Sequence, residues 1–350
     1  MNFWQNFTQP IIGLSPMDGV TDHPYRHIQK KYGNPAIVYT EFASVEGICR
    51  GATQLLKDFL YDEFQRPIVA QIYGTTAKFF YQTAVLICEL GFDGIDINMG
   101  CPAKNVAHSG AGAALIKTPE LAQEIIRQTQ AGVTDWLQGI EITDLPDISP
   151  QIAKIVQARH DQLPSMYQKK RAIPVSVKTR VGYDMPVIEE WIPRLLELEP
   201  SCIALHGRTL RQQYSGLADW ERIGKAALLA AGSATIVLGN GDIDSLETAN
   251  KRIADYKLDG VLIGRGSMGN PHIFKAPDQN DPSLFSIALE HARLFEQTYQ
   301  HNERYAFLPM RKNLGWYVRS ISNAKEVRSE LFQTETSLAV QAILEKHHLL

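Results

Sequence analysis

Eight short runs rich in β-branched and apolar residues recur along the first three quarters of the chain, with helical stretches between them. They are IIGLSP (11–16), AIVYTEF (36–42), PIVAQIYG (67–74), GIDINMG (94–100), PVSVKTRVG (174–182), CIALHGR (202–208), TIVLGNGDI (235–243) and GVLIGRG (260–266). Helical stretches fill 76–90, 119–130, 187–198 and 244–256. Strands and helices alternating in this way build a parallel sheet, because each parallel pair needs a crossover and the crossover is usually a helix. Eight such units are the tally of a (β/α)8 barrel. The expected fold class is α/β, a TIM barrel over residues 1–276 followed by an all-helical domain.

One connection breaks the rhythm. Residues 131–173 separate a helix from the next strand, where such links usually take only a few residues. The excess reads as an insertion. Its DISPQIAKIVQARH (147–160) suits a helix opened by Ser149 with Pro150 at the first position, and YQKKR (167–171) ends it with three cations. The expectation is a solvated surface excursion.

After the eighth strand, KAPDQNDPS (275–283) concentrates turn formers, as a linker does. Residues 284–350 carry no strand pattern and read as several helices. From Arg304 to Arg328 six cations (Arg304, Arg311, Lys312, Arg319, Lys325, Arg328) face one acid, Glu326, with Trp316 and Tyr317 in their midst. Cations interleaved with aromatics can hold a phosphodiester backbone and stack a base.

Composition excludes several classes. With 44% hydrophobic and 21% charged residues the chain is an ordinary globular one. No apolar run approaches the roughly 18 residues of a membrane span, and MNFWQNFTQP lacks the basic start and apolar core of a signal peptide. A cytoplasmic protein, without membrane association and monomeric, is expected. Cys49, Cys88, Cys101 and Cys202 form no CxxC pair, so neither a disulfide framework nor a metal site is indicated. The net charge of -3 argues against non-specific nucleic-acid binding by the whole molecule, yet permits a local basic face.

The chemistry-bearing residues follow the strands, where barrel active sites are built. VLGNGDI and LIGRGSMGNP, after strands seven and eight, are glycine-rich turns whose amides can approach an anion, and Arg265 adds a forked, charge-assisted contact. Lys178 and His206 stand near the ends of strands five and six, and Gln71 near that of strand three. Cys101 follows strand four, shaped into a turn by Gly100 and Pro102, with Asn98 three residues earlier. A thiol with a reference pKa of about 8.5 stays mostly protonated near neutrality and can donate a proton. As a nucleophile it would need a partnered base such as His108.

SPMDGVTD, NMGCPAKNV, VKTRVG, HGRT, NGDI and IGRG, in this order, resemble the tRNA-dihydrouridine synthase family, flavin enzymes that reduce uridine in transfer RNA. MRKNLGWYVRSISNAKEVRSEL (310–331) is similar to that family's C-terminal helical domain. The resemblance implies FMN in the barrel mouth, reduced by NADPH, and hydride transfer to C6 of a flipped-out uracil while Cys101 protonates C5. It assigns Pro16, Met17, Gln71, Lys178, His206, Asn240, Gly241, Asp242, Gly264 and Arg265 to FMN. Asn98 and Arg180 are candidates for the uracil. Arg311, Lys312 and Arg319 are candidates for tRNA, with the insertion as a further candidate contact. Two rivals stay open: a flavin barrel acting on a free pyrimidine, as dihydroorotate dehydrogenases do, and a non-catalytic RNA-binding barrel.

Overall fold

Eight parallel strands form one sheet in the computed structural model, which describes residues 2–8, 10–302 and 305–350. They are β1 (Ile11–Leu14), β2 (Val38–Ser44), β3 (Ile68–Tyr73), β4 (Gly94–Met99), β5 (Val175–Gly182), β6 (Cys202–Thr209), β7 (Ile236–Asn240) and β8 (Gly260–Ile263). The order β1-β8-β7-β6-β5-β4-β3-β2 leaves only the β1–β2 seam to be joined. Two backbone hydrogen bonds join it: Ala36 N–H to Ile12 O and Leu14 N–H to Ile37 O, both 2.9 Å. The sheet is a closed barrel without an edge.

The helices between strands are α1 (His23–Tyr32), α2 (Val45–Cys49), α3 (Ala77–Glu89), α4 (Lys104–His108), α5 (Pro119–Gln138), α6 (Pro150–His160), α7 (Ser165–Gln168), α8 (Ile188–Leu196), α9 (Trp220–Ala230) and α10 (Leu246–Tyr256). Strand side chains alternate between two cores. Ile95, Ile97, Val177, Ile203, Leu205 and Val261 point outward into the layer shared with the helices. Ile11, Tyr39, Val69, Ala204, Leu238 and Leu262 fill the barrel's interior, and Trp4, 2% exposed, packs with them from the N-terminal turn. Hydrophobic filling closes the bottom of the barrel, and above it the inward-facing positions turn polar.

The insertion is not the solvated excursion its charges suggested. Ile142, Leu145, Ile148, Ile152 and Val156 are buried in the main core. The β2–β3 crossover has only the five-residue α2 and short 3-10 turns, and α6 packs where a full helix would otherwise lie. Arg159 at its end donates to Leu56 O at 2.9 Å, and His160 Nδ1 lies 2.8 Å from Glu89 O at the end of α3. Ser149 caps α6 as its sequence implied, accepting from Ile152 N–H at 3.3 Å. Burying Ile152 and Val156 contributes about 1.5–3 kcal/mol each. Arg171 is spent on the carbonyls of Gly91 and Phe92, just before β4 and so at the opposite end of that strand from Cys101.

Beyond the barrel lie α11 (Leu284–Tyr299), α12 (Leu308–Tyr317), α13 (Ala324–Leu331) and α14 (Ser337–Lys346). They gather round Phe295, Met310, Leu314, Val327 and Val340, a cluster that Ile28 and Tyr32 of α1 complete. The contact is polar as well: Glu290 accepts from Tyr32 Oη at 2.6 Å and pairs with Lys31 at 2.7 Å. Arg304 lies outside the described residues. Among those described, no helix is long and apolar enough to cross a membrane.

Candidate active site

Period-two alternation aims Gln71, Asp96, Asn98, Ser176, Lys178, Arg180, His206 and Asn240 into the barrel. Register then sets neighbours side by side: Gln71 pairs with Asp96, Asn98 with Lys178, Arg180 with His206, and His206 with Asn240. A cavity of about 1140 Å³ opens above this ring. Every residue singled out in the sequence for the thiol, the FMN and the uracil lines it, and so do Lys312 and Arg319. Arg311 does not. Its Nε donates to Thr334 O at 2.7 Å, so it serves the helical region's own packing. His108 is exposed and likewise absent from the lining.

Cys101 sits on a turn held from three sides. Asn98 Oδ1 accepts the amides of Gly100 at 3.0 Å and Cys101 at 2.9 Å. Arg180 Nε donates to Gly100 O at 2.6 Å. Gly112, at φ +61°, lies so close that a Cβ there would stand 3.2 Å from that of Cys101. Gly112 of HSGAGAAL is thus spacing for the cysteine turn. The thiol is 9% exposed, among Val106, Ala111 and Phe42. Burial pushes it above its ordinary range, and the Ala103 amide, Arg180 and Lys178 do not reverse the shift. It is an acid at neutral pH, not a thiolate.

Cations begin on the adjacent strand and continue round the mouth. Desolvation, helped by Arg180, pulls Lys178 down to about 8, and its ammonium donates to Asn240 Oδ1 at 3.2 Å. Arg180 falls to about 10, chiefly through burial. His206 is driven well below its usual range by burial and then by Arg180, Lys178 and Arg208, so the imidazole is neutral. Asp242 braces the arginines: Oδ2 accepts from Arg208 at 2.6 Å and Oδ1 from Arg265 at 3.0 Å. Burial alone would raise Asp242, yet the Ala218 amide and Arg208 hold it below the usual carboxylate range. Both carboxylate oxygens of Asp242 are thus engaged by the arginines they orient.

Sequence reasoning passed over Asp96, Ser176 and Arg208. Each stands two residues from a polar position that it did single out, Asn98, Lys178 and His206 respectively, and the strand period alone would have found them. Gln71 and Asn98, expected to face ligands, also face each other: Asn98 Nδ2 donates to Gln71 Oε1 at 3.0 Å.

A closed parallel barrel with a buried thiol beside a cationic wall is the frame of a barrel enzyme suited to an electron-rich or anionic ligand. Comparison with known proteins makes the assignment specific: the chain belongs to the dihydrouridine synthase (Dus) family, whose profile matches residues 13–138 and 145–349. It is 31% identical to a Staphylococcus aureus (strain COL) protein named "Probable tRNA-dihydrouridine synthase", over 99% of this chain and 95% of that one. It is also 31% identical to the Bacillus subtilis (strain 168) "Probable tRNA-dihydrouridine synthase 2", over 98% of this chain and 96% of that one. Among solved structures, a morphinone reductase in complex with tetrahydroNAD aligns over 79% of this chain and 89% of that one, at 10% identity and a TM-score of 0.42.

Proposed function

We propose that this chain reduces the C5=C6 bond of uridine in tRNA to 5,6-dihydrouridine, with FMN in the barrel mouth and NADPH as reductant. Its family and its relatives' names support the reaction. The residues present suit the cofactor. Gly241, at φ +133°, brings the β7 turn so close to Ala218 that a Cβ would stand 2.6 Å from it. Arg208 Nε, buried behind this wall, has no partner among the described residues. Lys178, His206 and Asn240 would hold the ring system, and the turns after β7 and β8 with Arg265 would take the phosphate.

Reduced FMN, when bound, supplies the hydride that adds to C6. That addition leaves enolate character on the pyrimidine, which an acid must quench at C5. Cys101 is that acid, and burial keeps its proton in place. Arg180 holds the thiol's turn through Nε and Thr209 O through Nη1 at 3.2 Å, which leaves Nη2 for the uracil. Residues 284–350 would form a helical tRNA-binding domain, contributing Lys312 and Arg319 to the rim. A flipped uridine costs a few kcal/mol to unstack, and those cations help to offset it.

The observation that carries the proposal is a buried thiol and a cationic wall sharing one cavity. The test is to incubate the purified chain with FMN, NADPH and an unmodified tRNA transcript, then to digest the RNA and weigh its nucleosides. Dihydrouridine is expected. Unchanged tRNA alongside turnover of free pyrimidine would transfer the reaction to the free base.

A further inference from the structure

Beneath the mouth, four buried polar side chains from three strands form one hydrogen-bonded line. Ser176 Oγ donates to Asp96 Oδ1 at 2.6 Å, and Gln71 Nε2 donates to Asp96 Oδ2 at 2.7 Å. Asn98 Nδ2 donates to Gln71 Oε1 at 3.0 Å. Asn98 Oδ1 then accepts the amides of Gly100 and Cys101. Asp96 is 0% exposed, Gln71 1% and Asn98 7%.

The polarity of this line is forced. Backbone amides only donate, so Asn98 must turn its oxygen to the cysteine turn and its NH2 to Gln71. Gln71 must then present its oxygen to Asn98 and its NH2 downward. Only an acceptor can meet that NH2, and Asp96 is the acceptor. A buried polar line that is fully satisfied fixes one arrangement, whereas one wrong link leaves an unpaired group at each end.

We infer that Asp96 is a positioning residue for Cys101: through Gln71 it fixes which way Asn98 points, and so fixes the turn that aims the thiol. The inference rests on the proposed reaction for its purpose, but not for its geometry. Asp96 touches no substrate. It meets from below the amide orientations that the Gly100 and Cys101 N–H groups demand from above, so that neither end of the line is left unpaired.

The test is a swap of polarity. Gln71→Glu sets two carboxylates against each other, and because burial already raises Asp96 to about 6, the rates are read at pH about 8.5, where the pair is least able to share a proton. Adding Asp96→Asn restores a donor facing an acceptor at that link, with Ser176 still donating to the amide oxygen and Glu at 71 still accepting from Asn98. The formal charge of the interior is then unchanged. The first readout is the rate at which iodoacetamide alkylates Cys101 in the FMN-free protein, resolved by peptide mass spectrometry. Gln71→Glu is expected to speed it by about tenfold as the turn loosens, and the double variant to return it to within about threefold of the parent. The second readout is the single-turnover rate of dihydrouridine formation at saturating FMN, which should be lower in Gln71→Glu than in the double variant; because Gln71 also lines the cavity, the comparison is between these two and not with the parent.

Losses that add in the double variant overturn the inference. If Gln71→Glu does not accumulate as folded protein, the double variant is compared with Asp96→Leu, and a double variant no better than Asp96→Leu overturns it equally. A parent protein that makes no dihydrouridine defeats the proposed function, while the alkylation rates still decide the positioning role.

Discussion

Arg180 Nε and the carbonyl of Gly100 meet at 2.6 Å, which ties the end of β5 to the turn carrying Cys101. The pair crosses the ladder at the register that sets Asn98 beside Lys178, so thiol, guanidinium and ammonium ride on two adjacent strands. Replacing Arg180 by Met keeps much of the apolar stem and removes the clamp. Because small misplacements of a reacting group cost about 10²-fold, kcat for uridine reduction should fall by roughly that factor. Steady-state assays that vary tRNA, and then FMN, locate the loss. An unchanged kcat would mean that the turn holds itself.

Cys101→Ala removes the acid and leaves the cationic wall intact. General acid catalysis contributes about 10²–10⁴-fold, and uridine reduction should drop within that range while the protein still takes up FMN and oxidises NADPH. Absorbance of the flavin during alternate additions of NADPH and tRNA separates the two half-reactions. Full reoxidation by tRNA in the variant would remove the thiol from the mechanism.

Charge at the wall sets a pH limit. Burial brings Lys178 down to about 8, so its positive form is lost as pH rises through that value. The thiol acid fails later, because burial raises it. FMN affinity of the apoprotein should therefore weaken across pH about 7 to 9, as quenching of flavin fluorescence reads directly. In Lys178→Arg, whose guanidinium stays charged, that weakening should disappear.

The barrel was legible because strands buried on both faces write long apolar runs, and eight of them leave few alternatives. The runs overshot where glycine-rich tails such as GNGDI continue as loop: β7 stops at Asn240 because Gly241 takes φ +133°. The mouth was legible where polar residues interrupt an apolar strand run, as at Lys178 and His206. What stayed hidden was long-range. Nothing local tells that α6 fills a place in the layer beside α3, nor that Arg311 caps its own helical region while Lys312, its neighbour, faces the barrel.

The insertion's burial gives a stability prediction. Ile152 is fully buried against the core that α3 shares, so Ile152→Ala should cost about 2–5 kcal/mol in chemical denaturation. Activity per folded molecule should be unchanged, since the insertion contributes no residue to the cavity lining. A loss below about 0.5 kcal/mol, the size expected of an exposed site, would return the segment to the surface.

Lys312 and Arg319 each do two things. Lys312 Nζ donates to Gly19 O at 2.8 Å, and Arg319 Nη2 to Met268 O at 2.6 Å, so both link the helical region to rim turns after β1 and β8. Both remain exposed, with hydrogens to spare for a phosphate. Arg311, one residue from Lys312, is engaged with Thr334 and Glu335 instead. Neutralising Lys312 and Arg319 to Gln should weaken tRNA binding and flatten the slope of log K against log salt by about 0.7–0.9 for each phosphate that is no longer neutralised. Arg311→Gln should leave the slope alone and lower the melting temperature. Filter binding over a salt series, with melts on the same samples, separates the three cations. A slope that moves with Arg311 and not with its neighbours would shift the RNA path off the barrel rim and onto the far side of the helices.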